Sequence, residues 1–149
     1  MTKMGKHKHN FNSEPLKEMN VTAFGYELLR QVSLPDLLGE DSSFMQYYMG
    51  KTLARKFPLN SMEEITSFFQ DASFGTLQLV KEKKNEFTFQ LTSPLITERF
   101  QYAEPVNYRL EAGFLAETFT NLYNEQFECL DEQNKKKKCI IFHVVGSIW

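Results

Sequence analysis

Tyr108-Arg109-Leu110-Glu111-Ala112-Gly113-Phe114-Leu115-Ala116-Glu117-Thr118-Phe119-Thr120-Asn121-Leu122-Tyr123 is the stretch that decides the fold. It contains no proline and reads as one long helix. At about 100° per residue, Tyr108, Ala112, Leu115, Phe119 and Leu122 share one face, while Leu110 and Phe114 point nearly the opposite way. A helix apolar on two sides is either sandwiched between layers or half in a core and half in an interface. The first face is expected on a sheet, and the small residues Ala112, Gly113 and Ala116 leave room for a neighbouring helix. Leu110 and Phe114 then line a pocket or form a partner's contact surface.

On both sides of this helix the apolar period changes to two. Leu77 and Leu79, then Phe87, Phe89 and Leu91, alternate with polar residues around the charged tip 81–86, which reads as a hairpin with one buried and one wet face. After the helix, 127–131 and 139–145 form a second hairpin across Asn134 and the lysines Lys135 to Lys138. Its last strand is apolar on both parities, as suits an inner strand covered on both sides. The stretch 95–105, after Ser93-Pro94, reads as an ordered connection.

Three helices precede the first hairpin. One begins near Asn20 or Thr22 and carries Val21, Phe24, Leu28 and Val32; a single turn follows at Pro35. The next is capped by Asp41 or Ser42, runs through Phe44, Met45, Tyr48, Met49 and Leu53 to Phe57, and turns Lys51, Arg55 and Lys56 outward. A capping box, Ser61-Met62-Glu63-Glu64, opens the third. The order helix, helix, helix, hairpin, helix, hairpin describes an α+β domain over 19–149: a helical layer of three N-terminal helices and one long central helix, packed on an antiparallel sheet built from two hairpins. Residues 1–18 read as a mobile basic tail.

The chain has 149 residues, enough to bury a core without disulfides or metal. Its net charge of -2 provides no field for nucleic acid. Met1 to His9 lacks the apolar core of a signal peptide, and the longest apolar run, in 139–145, is too short to span a bilayer, so a cytoplasmic protein is expected. The 14% aromatic share, dominated by 14 Phe, points to a Phe-packed core or an aromatic-lined pocket.

Signals for chemistry are sparse. His7-x-His9 offers too few ligands for a zinc site, so no metal is expected. His143 stands alone in an apolar strand, with no nucleophile-and-base arrangement around it. Glu111 and Glu117 lie about 120° apart on one helix and cannot act as a close carboxylate pair. Glycine-rich phosphate loops are absent, and no cofactor is expected. Cys129 and Cys139 would face each other if the second hairpin centred on Asn134, although a cytosolic setting favours free thiols. The four lysines read as a solvated tip that discourages edge pairing. No catalytic residue emerges, and the chain reads as a protein that is not an enzyme.

A family resemblance adds to this. Phe24-Gly25-Tyr26-Glu27-Leu28-Leu29-Arg30, Leu34-Pro35-Asp36-Leu37-Leu38-Gly39, the stretch from Gly50 to Leu59, Phe74-Gly75-Thr76-Leu77 and the stretch from Leu110 to Glu117 resemble the YslB family of uncharacterised Firmicute proteins, in order and at matching intervals. More distantly, the layout is similar to vinyl-4-reductase-type domains and to small subunits of the transport-protein-particle tethering complex, folds grouped with haem-based nitric-oxide sensors as ligand-binding folds. That resemblance implies two functions. One is a homodimeric structural or adaptor domain with Leu110 and Phe114 at the interface. The other is a domain holding a small hydrophobic ligand between helices and sheet; helix face and side-chain size, rather than the resemblance, mark Phe24, Leu28, Tyr47, Tyr48, Phe114 and Leu115 as its walls.

Overall fold

The computed structural model describes residues 12–147. Its elements run α1 (Ser13–Leu16), α2 (Ala23–Glu27), a π-helical turn (Leu28–Ser33), α3 (Leu34–Leu38), a 3-10 turn (Gly39–Asp41), α4 (Ser42–Lys56), α5 (Met62–Asp71), β1 (Thr76–Lys83), β2 (Glu86–Thr92), α6 (Pro94–Arg99), α7 (Arg109–Tyr123), β3 (Phe127–Asn134) and β4 (Cys139–Gly146). The helices pack on a four-stranded antiparallel sheet of order β1-β2-β4-β3, so the two hairpins join through β2 and β4. This is the α+β architecture that the patterning predicts.

The sheet face beneath α7 is where the phenylalanines collect. Phe119 of α7 packs on Phe87, Phe89 and Phe127, with ring centroids 4.7, 5.7 and 5.8 Å away. The opposite face is wetter: Glu128, Leu130 and Val145 are exposed. β4 is therefore an inner strand that is not sealed on both sides: Cys139, Ile140, Phe142 and Val144 are buried, while Ile141 and His143 are half-buried and Val145 is exposed. His143 pairs with Glu132 across to β3 at 2.8 Å. The second hairpin also corrects the cysteine geometry. Cys129 lies opposite Val144 and Cys139 opposite Asn134, so the two thiols do not face each other; both are buried and free.

Local chemistry explains most element ends. The Ser61 hydroxyl accepts from Glu64 N–H at 3.2 Å, and the Glu64 carboxylate accepts from Asn60 N–H at 2.8 Å, a capping box displaced by one residue. Ser93-Pro94 does more than end β2. The Ser93 hydroxyl accepts from Ile96 N–H at 2.9 Å and Pro94 starts α6, which occupies part of the expected connection. Asn12 caps α1, which lies inside the stretch read as tail, and Lys17 just beyond it approaches Asp71 at 3.7 Å. The rest of that tail, with His7 and His9, falls outside the described residues.

Two glycines fix how closely the helical layer packs. A Cβ at Gly113 of α7 would collide with the Tyr47 carbonyl on α4, and one at Gly50 of α4 would collide with the Leu110 carbonyl on α7. Each helix thus supplies the missing side chain at the other's backbone. The α4 face turned to α7 carries Gln46, Gly50, Lys51 and Ala54, all buried. Lys51 is therefore not on the outer face. Its ammonium lies 5.0 and 5.6 Å from the Tyr47 and Tyr48 ring centroids and donates to Glu128 at 3.2 Å.

Candidate functional site

Charge holds residues 23–38 against the domain. None of the apolar side chains in α2, the π-helical turn or α3 is buried; the one buried residue of these elements is Arg30. The π-helical turn widens the helix at this position, and Arg30 reaches Glu111 of α7, Nη2 to Oε1, at 2.6 Å. Glu111 is 0% exposed. A second pair reinforces the first. Arg99 of α6 donates to both oxygens of Glu27, at 3.0 and 2.7 Å, and the Tyr102 hydroxyl donates to Glu27 at 2.7 Å. The two guanidiniums lie between the rings of Tyr26 and Tyr108, with centroid distances from 5.5 to 6.0 Å.

The network balances two cations with two carboxylates. Burial works against the Arg30 charge, but Glu111 outweighs it and raises the guanidinium pKa further. For Glu27, burial pushes the carboxyl upward, and the hydrogen bonds from Arg99 and Tyr102 outweigh that and hold it below the usual carboxylate value. Burial and the Glu27 bond push the Tyr102 phenol up to about 12. One acceptor is left over: Glu111 Oε2 is buried without a hydrogen-bond partner. Sequence patterning missed this cluster. Its signal was Glu111 itself, an acid in a helix otherwise apolar on two sides.

A second polar cluster sits at the β3 edge. The Tyr47 hydroxyl accepts from Cys129 N–H at 3.0 Å and donates to Glu128 at 2.5 Å. Arg109 pairs with Asp131, and Thr120 accepts from Phe127 N–H at 3.0 Å. These side chains occupy the strand's free hydrogen-bonding edge, which would otherwise template pairing with another chain. Burial and Glu128 raise the Tyr47 phenol, and burial above all raises the Cys129 thiol. Neither is an activated nucleophile. Among the described residues, no group of three or more His, Cys, Asp or Glu side chains is placed to hold a metal ion.

The six expected wall residues do not surround one cavity. Phe114 and Leu115 are in the closed core; Phe114 stacks on Phe68 at 4.6 Å and meets Phe69 edge-on at 6.0 Å. Its second-side position is thus covered by α5 of its own chain, which leaves it unavailable to a partner. Phe24 and Leu28 line a shallow cleft of about 410 Å³ against residues 102–106. Tyr48 lines an apolar groove of about 640 Å³ along α4 with Phe44, Met45, Thr52 and Leu53, and Tyr47 is committed to the β3 edge. Leu110 is half-buried in a third cleft of about 470 Å³, between residues 26–37 on one side and Gln46, Leu53 and Phe74 on the other. Leu53 borders both the α4 groove and this third cleft.

Large apolar side chains are exposed unevenly over the surface. Ten of the sixteen exposed large hydrophobics among the described residues fall between Met19 and Tyr48, including Phe24 at 71%, Leu37 at 82% and Phe44 at 66%. No described helix is long and apolar enough to cross a membrane.

The sequence and the fold have counterparts in known proteins. The chain is 46% identical over 132 residues to the uncharacterized protein YslB of Bacillus subtilis (strain 168), covering 89% of this chain and 88% of the relative. Its fold is similar to the crystal structure of a vinyl-4-reductase family protein from Methanocaldococcus jannaschii, with a TM-score of 0.69 and 21% identity over 92% of this chain and 89% of that one. The phenol-responsive sensory domain of the transcription activator PoxR, solved with phenol, is similar at a TM-score of 0.58 and 12% identity, covering 86% of this chain and 76% of that one. The profile of the family described as protein of unknown function (DUF2507) matches residues 23–145, from the charged clasp to the end of the sheet, and the chain belongs to that family.

Proposed function

We propose that the protein is a non-enzymatic domain that works as a homodimer, in a structural or adaptor role. The observation that carries this reading is the apolar surface between Met19 and Tyr48. Its ten exposed side chains leave on the order of 1,000 Å² of apolar surface in water, counting large side chains at about 150–200 Å² each. These side chains border several clefts, and the group formed by Leu29, Leu37, Phe44, Met45 and Tyr48 is the part offered to a second copy; a stable interface buries about 800 Å² per partner. The surface carries protruding side chains such as Leu37 and Phe44 beside apolar hollows that receive side chains of that size. Knobs and hollows on one patch are what an isologous contact between two copies uses. The buried polar groups support a non-enzymatic role, since Tyr47, Arg109 and Thr120 serve the sheet edge and both arginine–glutamate pairs serve the clasp.

Solution mass tests the reading. Sedimentation equilibrium at tens of micromolar is expected to give twice the chain mass, and Leu37→Asp, at an 82% exposed position, is expected to return it to one chain with the circular dichroism spectrum unchanged. A wild-type monomer at that concentration overturns the reading.

One observation favours a second reading, a domain that holds a small hydrophobic ligand. The cleft of about 470 Å³ combines an apolar lining with four polar side chains, Tyr26, Arg30, Ser33 and Gln46. That matches the size and composition of small-molecule sites, and a protein of similar fold was solved with phenol. Native mass spectrometry of the purified protein reports this directly: bound mass beyond the protein supports it, and a bare chain that binds no hydrophobic probe counts against it.

A further inference from the structure

We infer that the two copies meet along α4, antiparallel, about a two-fold axis passing between Tyr48 and Met49. The inference rests on the homodimer reading and adds the element and the orientation. α4 is divided lengthwise. Its inner face is spent on α7, and its outer face carries Phe44, Met45, Tyr48, Met49, Thr52 and Leu53, which line the apolar groove. The spacing of one, three and four residues makes this a straight stripe of nearly three turns.

The stripe is self-complementary when reversed. About the proposed axis Phe44 faces Leu53 of the second copy, Met45 faces Thr52 and Tyr48 faces Met49, so a large side chain meets a smaller one at both ends. Charge selects the same orientation. Glu40 and Asp41 stand at the start of α4, and Arg55, which pairs with Glu117 of its own chain at 3.1 Å and keeps 57% of its side chain exposed, stands in its last turn. An antiparallel pair sets the acidic end of each helix against the basic end of the other and opposes the two macrodipoles, while a parallel pair stacks like charges. Leu53 also borders the neighbouring cleft that Leu29 and Leu37 line, which sets those side chains beside the contact. Phe114 and the β3 edge are each covered within the chain and do not compete for the role.

Disulfide trapping tests the orientation. Cys129 and Cys139 are buried, so new surface thiols are the reactive ones. In Met45→Cys/Thr52→Cys the two positions lie about 10 Å apart along one helix, too far to bridge within a chain. Mild oxidation is expected to convert the double variant to a covalent dimer, and to leave each single variant unlinked because like positions lie as far apart across the axis. Asp41→Cys/Lys56→Cys, which removes no apolar contact, is read in parallel and is expected to cross-link as well. Wild-type mass separates the two ideas. A monomer removes the homodimer reading and this inference with it. A dimer in which neither double variant links, or in which a single variant links to itself, leaves the homodimer standing and overturns the antiparallel α4 contact.

Discussion

The α4–α7 crossing and residues 23–38 are both helical, adjacent and joined to the same central helix, yet they are built on opposite logic. At the crossing, two glycines let backbones touch, and Phe114 and Leu115 are sealed from water. In residues 23–38 Phe24, Leu28, Leu29, Val32 and Leu37 stay exposed, Tyr26, Leu34 and Leu38 are half-buried, and the one buried side chain is the charged Arg30. Close packing is stable within a single chain. A helix that buries its arginine and exposes its leucines leans on ion pairs, which alone contribute little net stability after desolvation. The contrast thus separates a contact sealed by packing from one made through charge.

The crossing should be the easiest region to break. Gly113→Val places a branched side chain against the Tyr47 backbone, where no rotamer relieves the clash. A loss on the order of 3 kcal/mol or more is expected, enough to unfold a marginal domain. Urea denaturation followed by circular dichroism measures it. A variant within 1 kcal/mol of the parent, roughly the effect of an average substitution, would mean that α4 and α7 do not approach as described.

The clasp should follow different rules. Glu111→Ala strands the Arg30 charge in a buried site, at a cost of about 3–5 kcal/mol. Replacing both partners, Arg30→Met with Glu111→Leu, removes the charge as well as the pair and is expected to recover most of the loss. No such rescue exists for Gly113, so the double-variant cycle separates the two kinds of contact. Failure of the double variant to recover would show that the pair sets the helix's position as well as balancing charge.

How legible each region was follows from the same contrast. Period and caps predicted α4, α5, α7 and both hairpins, because burial on one face leaves a repeating trace in the sequence. Gly113 and Ala112 announced a close helix contact. The clasp was illegible because Arg30, Glu27 and Arg99 each look like ordinary surface charges, and their pairing spans 72 to 81 residues. Lys51 misled for the same reason: its stem is buried against aromatic rings while its sequence position suggests a solvated face. Phe24 and Leu28 suggested core by their helical spacing, and that spacing is real. What spacing cannot specify is whether the face it creates is buried by the same chain.

The smallest expected effect concerns acid, and it separates the clasp from the core once more. Hydrogen bonds from Arg99 and Tyr102 hold the Glu27 carboxyl below its ordinary value of 4.5. A carboxyl with a depressed folded-state pKa binds protons more readily when unfolded, so its contribution is fully present above the unfolded value and is lost as pH falls through the folded one. The window therefore lies below 4.5, and at neutral pH or above this contribution is constant and adds no pH dependence. Comparing Glu27→Gln with the parent by urea midpoint should show the parent ahead at about pH 6 and the gap narrowing toward pH 3. Gly113→Val serves as the control, because its deficit arises from a steric overlap that no proton relieves. A Glu27→Gln deficit that stayed constant across this range would assign the role of Glu27 to packing and leave Arg30–Glu111 as the charged contact that holds residues 23–38 to the domain.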